Sequence, residues 1–351
     1  MPTAPSFRHP FPALPPKAVG VLAAVVTVLI WSSFIVISRA AADPARGGVL
    51  TPFDIVYARI CGASLVLLPW GLWMSWRERL LASETKEAFS GHSHSLGGLS
   101  PLSLKHTLQI GLAGGLIYPM LAYNGFSFAP AAHASVLMPG SLPLWTALLA
   151  WLLLGERVGI ARASGLALIV AGGLLVGGAH LLPTADGGNT WRGDLLFILA
   201  SMTWAVYSVL ARRFAVYAVR ATIAITALAF VLYVPLYTLL LLLHWAPGNA
   251  LAAPWQDVAT QMLFQGVGSV VISGISFTVM IAHFGPVRST MITALVPGLS
   301  ALAATVLLAE PLAWNLLGGL ALVTAGIVLG VRPAALRTTK SIAVPALPMR
   351  L

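Results

Sequence analysis

The feature that most constrains this chain is a block that occurs twice. Residues 135–175, SVLMPGSLPLWTALLAWLLLGERVGIARASGLALIVAGGLL, return in altered form at residues 289–329. Sliding the second copy back by 154 positions pairs Pro143 with Pro297, Glu156 with Glu310, Gly165 with Gly319 and Gly172 with Gly326. Leucine-rich helices match one another by composition alone, but an unbroken Pro, Glu, Gly, Gly register does not arise that way. A period this long exceeds the repeat of a solenoid, about 20 to 50 residues. It divides the chain into halves, the way many transporters are built.

Composition says what kind of halves these are. Of 351 residues, 58% are hydrophobic and only 9% charged, against roughly a quarter charged in a soluble domain, so the chain belongs in a lipid bilayer. The net charge of +10 does not point to nucleic acid, because the basic residues stand singly between apolar runs instead of clustering on one face. A single cysteine, Cys61, excludes an intramolecular disulfide and a cysteine-based metal cluster. Arg8 and Lys17 ahead of the first apolar run imitate a signal peptide. The run over residues 18–37 is 20 residues long, beyond the about 7 to 15 of a signal's apolar region, and is read as an uncleaved first span.

A crossing takes about 20 apolar residues, and ten such runs are predicted, over residues 18–39, 51–74, 106–128, 131–154, 161–180, 193–213, 220–244, 259–284, 287–309 and 313–331. The fold class is therefore all-α integral membrane, with ten transmembrane helices as two inverted five-helix repeats. The expected layout is a Pro-rich cytoplasmic tail (1–17), a first repeat (18–180), a linker (181–192), a second repeat (193–331) and a cytoplasmic tail (332–351). Within the first repeat, residues 75–105 form a cytoplasmic loop whose charged, Gly- and Ser-containing sequence predicts a solvated, partly disordered insertion.

The basic residues test this layout, since they concentrate on the cytoplasmic side. With the amino terminus inside, 16 of the 20 Lys and Arg fall in cytoplasmic segments, Arg39, Arg46 and Arg192 fall outside, and Arg59 alone lies within the membrane. Five spans per half force the halves into opposite orientations. That puts Glu156 at the inner face and Glu310 at the outer.

At this point the residues resemble the drug/metabolite transporter superfamily, specifically the EamA type with two EamA repeats. The WSSF of residues 31–34 is similar to the family's Trp-Gly-x-x-Phe in span one, with Ser32 in place of the usual Gly. The two Pro-x12-Glu-x8-Gly blocks and the stretch GDLLFILASMTWAVYSVLARR, which carries Trp204 and Tyr207, complete the likeness. The resemblance implies ten helices, both termini cytoplasmic in a cell (inner) membrane, and movement of small metabolites or drugs across the bilayer. The expected activity is efflux by alternating access, with no enzyme chemistry, cofactor or metal.

Several residues could do this work. Pro143 and Pro297 lie near the bilayer midplane, where each removes a backbone donor and frees a carbonyl four residues earlier. A bend lining a substrate cavity, with Ser289, Thr293 and Ser300 nearby, is one reading, and a kink that only shapes packing is the other. Arg59 costs roughly 2.5 to 3.5 kcal/mol at a span's centre and needs a partner. Asp54 is the one neighbour that could neutralise it, although a spacing of five suits one helical face poorly. An anion clamp for a carboxylate-bearing substrate competes here with a charge satisfied by carbonyls near the outer interface. Glu156 and Glu310 end their spans, so structural capping is weighed against gating or proton coupling. The aromatic and polar set Trp31, Tyr118, Tyr123, Asn124, His133 and Trp145, with Trp204, Tyr207, Gln265 and Ser269, could line the route or simply pack. Gly111-x3-Gly115, Gly173-x3-Gly177 and Gly326-x3-Gly330 permit close helix contact within the chain or between protomers.

Two other function classes compete with transport. An intramembrane enzyme would need a catalytic constellation, and the sequence offers no paired aspartates and only dispersed histidines. A receptor or scaffold would have to dock through the 75–105 loop, which has little apolar character. Substrate identity, direction, coupling ion and oligomeric state are not readable from the sequence.

Overall fold

Backbone in an apolar solvent can close its hydrogen bonds only within helices or closed barrels, and this chain takes the first course. A computed structural model of the protein describes residues 15–42, 49–85, 94–129, 133–134, 136–177, 190–308 and 314–331. Among them the regular structure is helical, with one isolated antiparallel bridge between Ser95 and Ser100. Residues 1–14 of the expected amino-terminal tail, the whole carboxy-terminal tail, most of the linker and Glu310 lie outside the described residues, while Pro16 and Lys17 already belong to the first helix.

In chain order the helices are α1 (Pro16–Ala42), α2 (Pro52–Thr85), α3 (Leu104–Ile110), α4 (Tyr118–Gly125), α5 (Leu142–Leu154), α6 (Ile160–Gly177) and α7 (Thr190–Arg213). They continue with α8 (Ala218–Leu242), α9 (Trp255–Gln261), α10 (Ser273–Phe284), α11 (Pro286–Thr293), α12 (Val296–Leu308) and α13 (Trp314–Val331). Wide π-helical turns join α3 to α4 (Gly111–Ile117) and α9 to α10 (Met262–Ile272), and a third (Val136–Gly140) leads into α5. Six helical stretches among the described residues are long and apolar enough to cross a membrane: Lys17–Phe34, Pro52–Leu80, Val136–Leu154, Thr190–Arg213, Ala218–Leu242 and Trp255–Phe284. Ile160–Leu175 and Leu317–Gly330 are apolar but shorter. Large apolar side chains such as Leu65, Trp151 and Leu236 stay exposed on the outer faces of these helices, as lipid-facing positions must.

The prolines act where sequence placed them. Pro143 is the second residue of α5 and Pro297 the second of α12, each just after an interruption, at Ser141 and at Ala294-Leu295. Proline suits this early position because its missing N–H has no intrahelical partner there anyway. The backbone released before α5 is recovered sideways: Ser201 on α7 donates to the Met138 carbonyl at 2.9 Å, and Ser141 to the Leu137 carbonyl at 2.5 Å. At its other end α5 stops on Gly155, whose φ of 68° is open to glycine at no steric cost.

Two repeat mates, α6 and α13, lie against each other along their length. A Cβ on Gly165 would stand 2.5 Å from the Gly326 carbonyl oxygen, and one on Gly172 would stand 2.6 Å from that of Gly319. The later residue of one helix meets the earlier residue of the other, so the pair is antiparallel. Gly173, though buried, would bring its Cβ against no neighbouring helix among the described residues, and the close packing of α6 on α13 runs through Gly165 and Gly172 instead of the Gly173-x3-Gly177 spacing.

The segment expected to be a solvated insertion is largely built into the bundle. Helix α2 continues to Thr85, and buried Ser75 donates to the Gly98 carbonyl at 2.9 Å. Glu78 pairs with Arg220 at the start of α8 and, at 3.1 Å, with His94. Thr107 meets the hydroxyls of Ser95 and Ser100 at 3.1 and 2.7 Å. Short polar residues read as solvated in sequence here satisfy one another; residues 86–93 lie outside the description.

Candidate functional site

Glycine sets the position of Arg59. A Cβ on Gly62 would stand 2.2 Å from the Met262 carbonyl oxygen, and one on Gly266 would stand 2.7 Å from the Ala63 nitrogen. Helix α2 and the π segment 262–272 therefore touch backbone to backbone, which carries Ser269 up to Arg59. Its Nη1 donates to Ser269 Oγ at 3.0 Å and to the Tyr123 hydroxyl at 3.5 Å, and that hydroxyl in turn donates to Gln265 Oε1 at 2.7 Å. The guanidinium residue is only 6% exposed, and its described acceptors are neutral oxygens.

Asp54 is not the partner that sequence offered. Five residues turn a helix by about 500°, leaving the two side chains some 140° apart. The Asp54 carboxylate instead accepts from the Thr51 backbone and hydroxyl, both at 2.8 Å, and from the Tyr237 hydroxyl at 2.9 Å. It also accepts from the backbone of Asn249 and Ala250, each at 2.9 Å. It fastens the loop after α8 to the start of α2. Among the described residues no carboxylate lies within ion-pair distance of Arg59.

Arg59 borders a half-open cavity of about 540 Å³, a volume that includes space continuous with the outside. Trp31 and Phe34 of α1, Tyr118 of α4 and Trp204 of α7 form its aromatic wall. The rings support one another: Tyr118 and Trp204 lie 4.6 Å apart between centroids, Trp31 and Trp204 5.7 Å, and Trp31 and Phe277 5.1 Å. The Trp31 indole is committed to Ser273 Oγ at 3.1 Å. The Trp204 indole N–H, on a residue 6% exposed, has no partner among the described residues. Met138 and Pro139 from the π turn before α5 and Leu142 at its start, with Ser201, Ser269 and Val296, complete the lining. A second chamber of about 380 Å³ shares Arg59, Trp204 and Ser269 with the first. All three π segments contribute wall to one chamber or the other, in keeping with the concentration of such turns at functional sites. In each joined pair the helix is reset by one residue, as where the Tyr118 N–H bonds the Ala113 carbonyl and the Ser273 N–H that of Gly268.

Of the residues chosen from sequence, Trp31, Arg59, Tyr118, Trp204 and Ser269 meet at this cavity. Gln265 lies one layer behind, buried and holding Tyr123. Tyr207 is fully buried against Trp204 with its hydroxyl 2.7 Å from that of Thr278, so it supports the wall without bordering the space. Asn124 donates to the Met120 carbonyl at 2.7 Å and is satisfied within its own helix. Ser289 and Thr293 are likewise buried and bonded to the Gly285 and Thr290 carbonyls. Neither they nor Pro143 and Pro297 border the cavity; a hydroxyl in a helix finds the carbonyl of its own preceding turn before any ligand. Ser300 does the same with Val296. His133 pairs with Asp194 at 2.7 Å, and Trp145 donates to Ser141 Oγ at 3.2 Å. Glu156 lies outside the cavity, 3.8 Å from Arg162 in the first turn of α6.

Phe34, Ser201, Met138, Pro139, Leu142 and Val296 were not anticipated. Two were within reach: Phe34 and Ser201 lie three residues from Trp31 and Trp204, on the same helical faces. The others are apolar residues in apolar runs, where nothing in the sequence separates a lipid-facing side chain from a cavity-facing one.

Comparisons with known proteins bear on the family and the fold. The EamA-like transporter family matches residues 18–178 and 191–332. A Bacillus subtilis (strain 168) protein called uncharacterized transporter YvbV is 25% identical over 280 residues, covering 76% of this chain and 89% of its own. One solved crystal structure, 20% identical, has a TM-score of 0.58 over 89% of this chain and 96% of the other and so shares the fold. With both repeats matched, most of the chain covered and apolar helices able to cross a bilayer, the protein is a transmembrane transporter and belongs to the EamA-like transporter family.

Proposed function

We propose that the protein carries a small organic anion across the membrane by alternating access, with the carboxylate or similar group held on Arg59 and the apolar body in the aromatic cavity. The observation that carries this reading is the guanidinium itself: buried, bordering both chambers and met only by neutral oxygens among the described residues. An uncompensated buried charge costs several kcal/mol (of order 3 or more), and a substrate anion removes that cost. Closing the cavity over an occupied site is then easier than closing it over an empty one.

Ten crossings in two inverted halves, with both ends in the cytoplasm of a cell (inner) membrane, complete the reading. Its support is the reciprocal contact of α6 and α13. Under the 154-residue shift Gly165 becomes Gly319 and Gly172 becomes Gly326, so the contacts of Gly165 with Gly326 and of Gly172 with Gly319 are each other's images. An antiparallel, self-reciprocal contact is what a two-fold axis in the membrane plane produces.

The test compares excreted and retained metabolites in cells with and without the protein, and again with Arg59→Gln. Organic acids should be depleted inside and enriched outside, and Arg59→Gln should abolish the change. A change confined to cations or neutral compounds, or one that survives Arg59→Gln, would overturn the assignment of Arg59.

A further inference from the structure

The second chamber has a different character from the first. Ala63, Gly114, Gly115, Ala229 and Gly274 give part of its wall little bulk, and Ile60, Ile225 and Val270 add apolar side chains to it. Into that wall is set Thr226 of α8, 3% exposed, whose hydroxyl has no partner among the described residues. This is unusual within the same helix, since Thr222, one turn earlier, bonds its own i−4 carbonyl at 2.9 Å. Trp204, whose indole N–H is likewise unpartnered among the described residues, lines both chambers. Buried polar groups are rarely left without a partner, and two of them beside an unneutralised guanidinium call for a ligand with more than one polar atom at its charged end.

We infer that the second chamber is the subsite for a neutral hydrogen-bonding substituent next to the substrate's anionic group. The substrate class is then a hydroxy acid with an aromatic or branched apolar body. This deepens the proposed function and rests on its placement of the anion at Arg59. A hydroxyl fits the chamber better than an ammonium for reasons of charge: among the described residues no carboxylate borders it, and Arg59 would repel a second cation. With the body in the aromatic cavity, the carboxylate on Arg59 and the hydroxyl on Thr226, the substrate is held at three points and its handedness is read.

The experiment titrates the purified full-length protein in nanodiscs with four probes that share one phenyl body: 3-phenylpropionate, the two enantiomers of 3-phenyllactate, and phenylalanine. One phenyllactate enantiomer should bind about tenfold more tightly than the other three, the worth of roughly one hydrogen bond. Thr226→Val should bring the two enantiomers and phenylpropionate to equal affinity, while Thr226→Ser, which keeps the hydroxyl, should preserve the ranking. Equal affinity for the enantiomers in the wild-type protein, a ranking that survives Thr226→Val, or phenylalanine binding as tightly as phenyllactate would overturn the subsite alone, with acid binding at Arg59 still intact. If none of the acids binds, or if they bind Arg59→Gln as well as the wild type, the anion reading falls and the subsite with it.

Discussion

Arg59 and Asp54 show how two charges five residues apart come to opposite ends. Asp54 is surrounded by five donors, and that many charge-assisted bonds make it a fixed structural anion. Both carboxylate oxygens face backbone N–H groups, which can only donate, so Asp54→Asn sets its amide N–H against at least one of them whichever way it turns; it should cost about 2 to 3 kcal/mol and free the loop after α8. Hydrogen exchange at Asn249 and Ala250 would rise well before global unfolding; unchanged protection there would contradict the clamp. Arg59 is the reverse, a cation left short of acceptors. Replacing it with Met should raise the stability of the ligand-free protein by about 1 to 3 kcal/mol, read as a higher melting temperature, while anion binding is lost. A destabilised Arg59→Met would mean that the guanidinium is already fully compensated. Both residues were visible as intramembrane charges. Which of them turns toward the cavity was not, because a sequence gives angular spacing on a helix but not the helix's rotation within the bundle.

At the level of elements, two devices place the site: backbone contact through glycine and the π turns. Gly165 and Gly172 hold α6 on α13, and Gly62 and Gly266 hold α2 on the segment that presents Ser269. Gly165→Val should destabilise the protein by about 2 to 3 kcal/mol, because the added atoms meet backbone that cannot move aside. Gly173→Val adds the same atoms eight residues on, where no atom of another described helix lies within 4 Å of the new Cβ, and should cost less than about 1 kcal/mol. Similar losses for both variants would show that glycine content, not these contacts, is what α6 needs. The glycines could be read from the sequence, but the choice between Gly172 and Gly173 could not, since adjacent positions differ by about 100° around a helix. The π turns left still less trace. Glycine and proline occur in them, but the same residues occur in ordinary turns and kinks.

For the whole molecule, the inverted-repeat reading fixes the side on which each loop lies. In a Cys61→Ser background, Ala252→Cys in the loop after α8 should react with a membrane-impermeant maleimide in intact cells, and Gly159→Cys between α5 and α6 only after permeabilisation. The opposite pattern would invert the topology, and labelling of both in intact cells would break it. The sequence by itself determined the solvent of this protein, its helical class, its duplication and its family, because lipid permits few backbone solutions and the register of Pro, Glu and Gly survives divergence along the chain. Only the tertiary structure decided that Asp54 turns away from Arg59, that Ser289, Thr293 and both prolines support the cavity from outside it, and that a second chamber lies behind the guanidinium. Those outcomes depend on helix rotation and on backbone approaches too close for a Cβ, which arise from contacts between residues far apart in the chain.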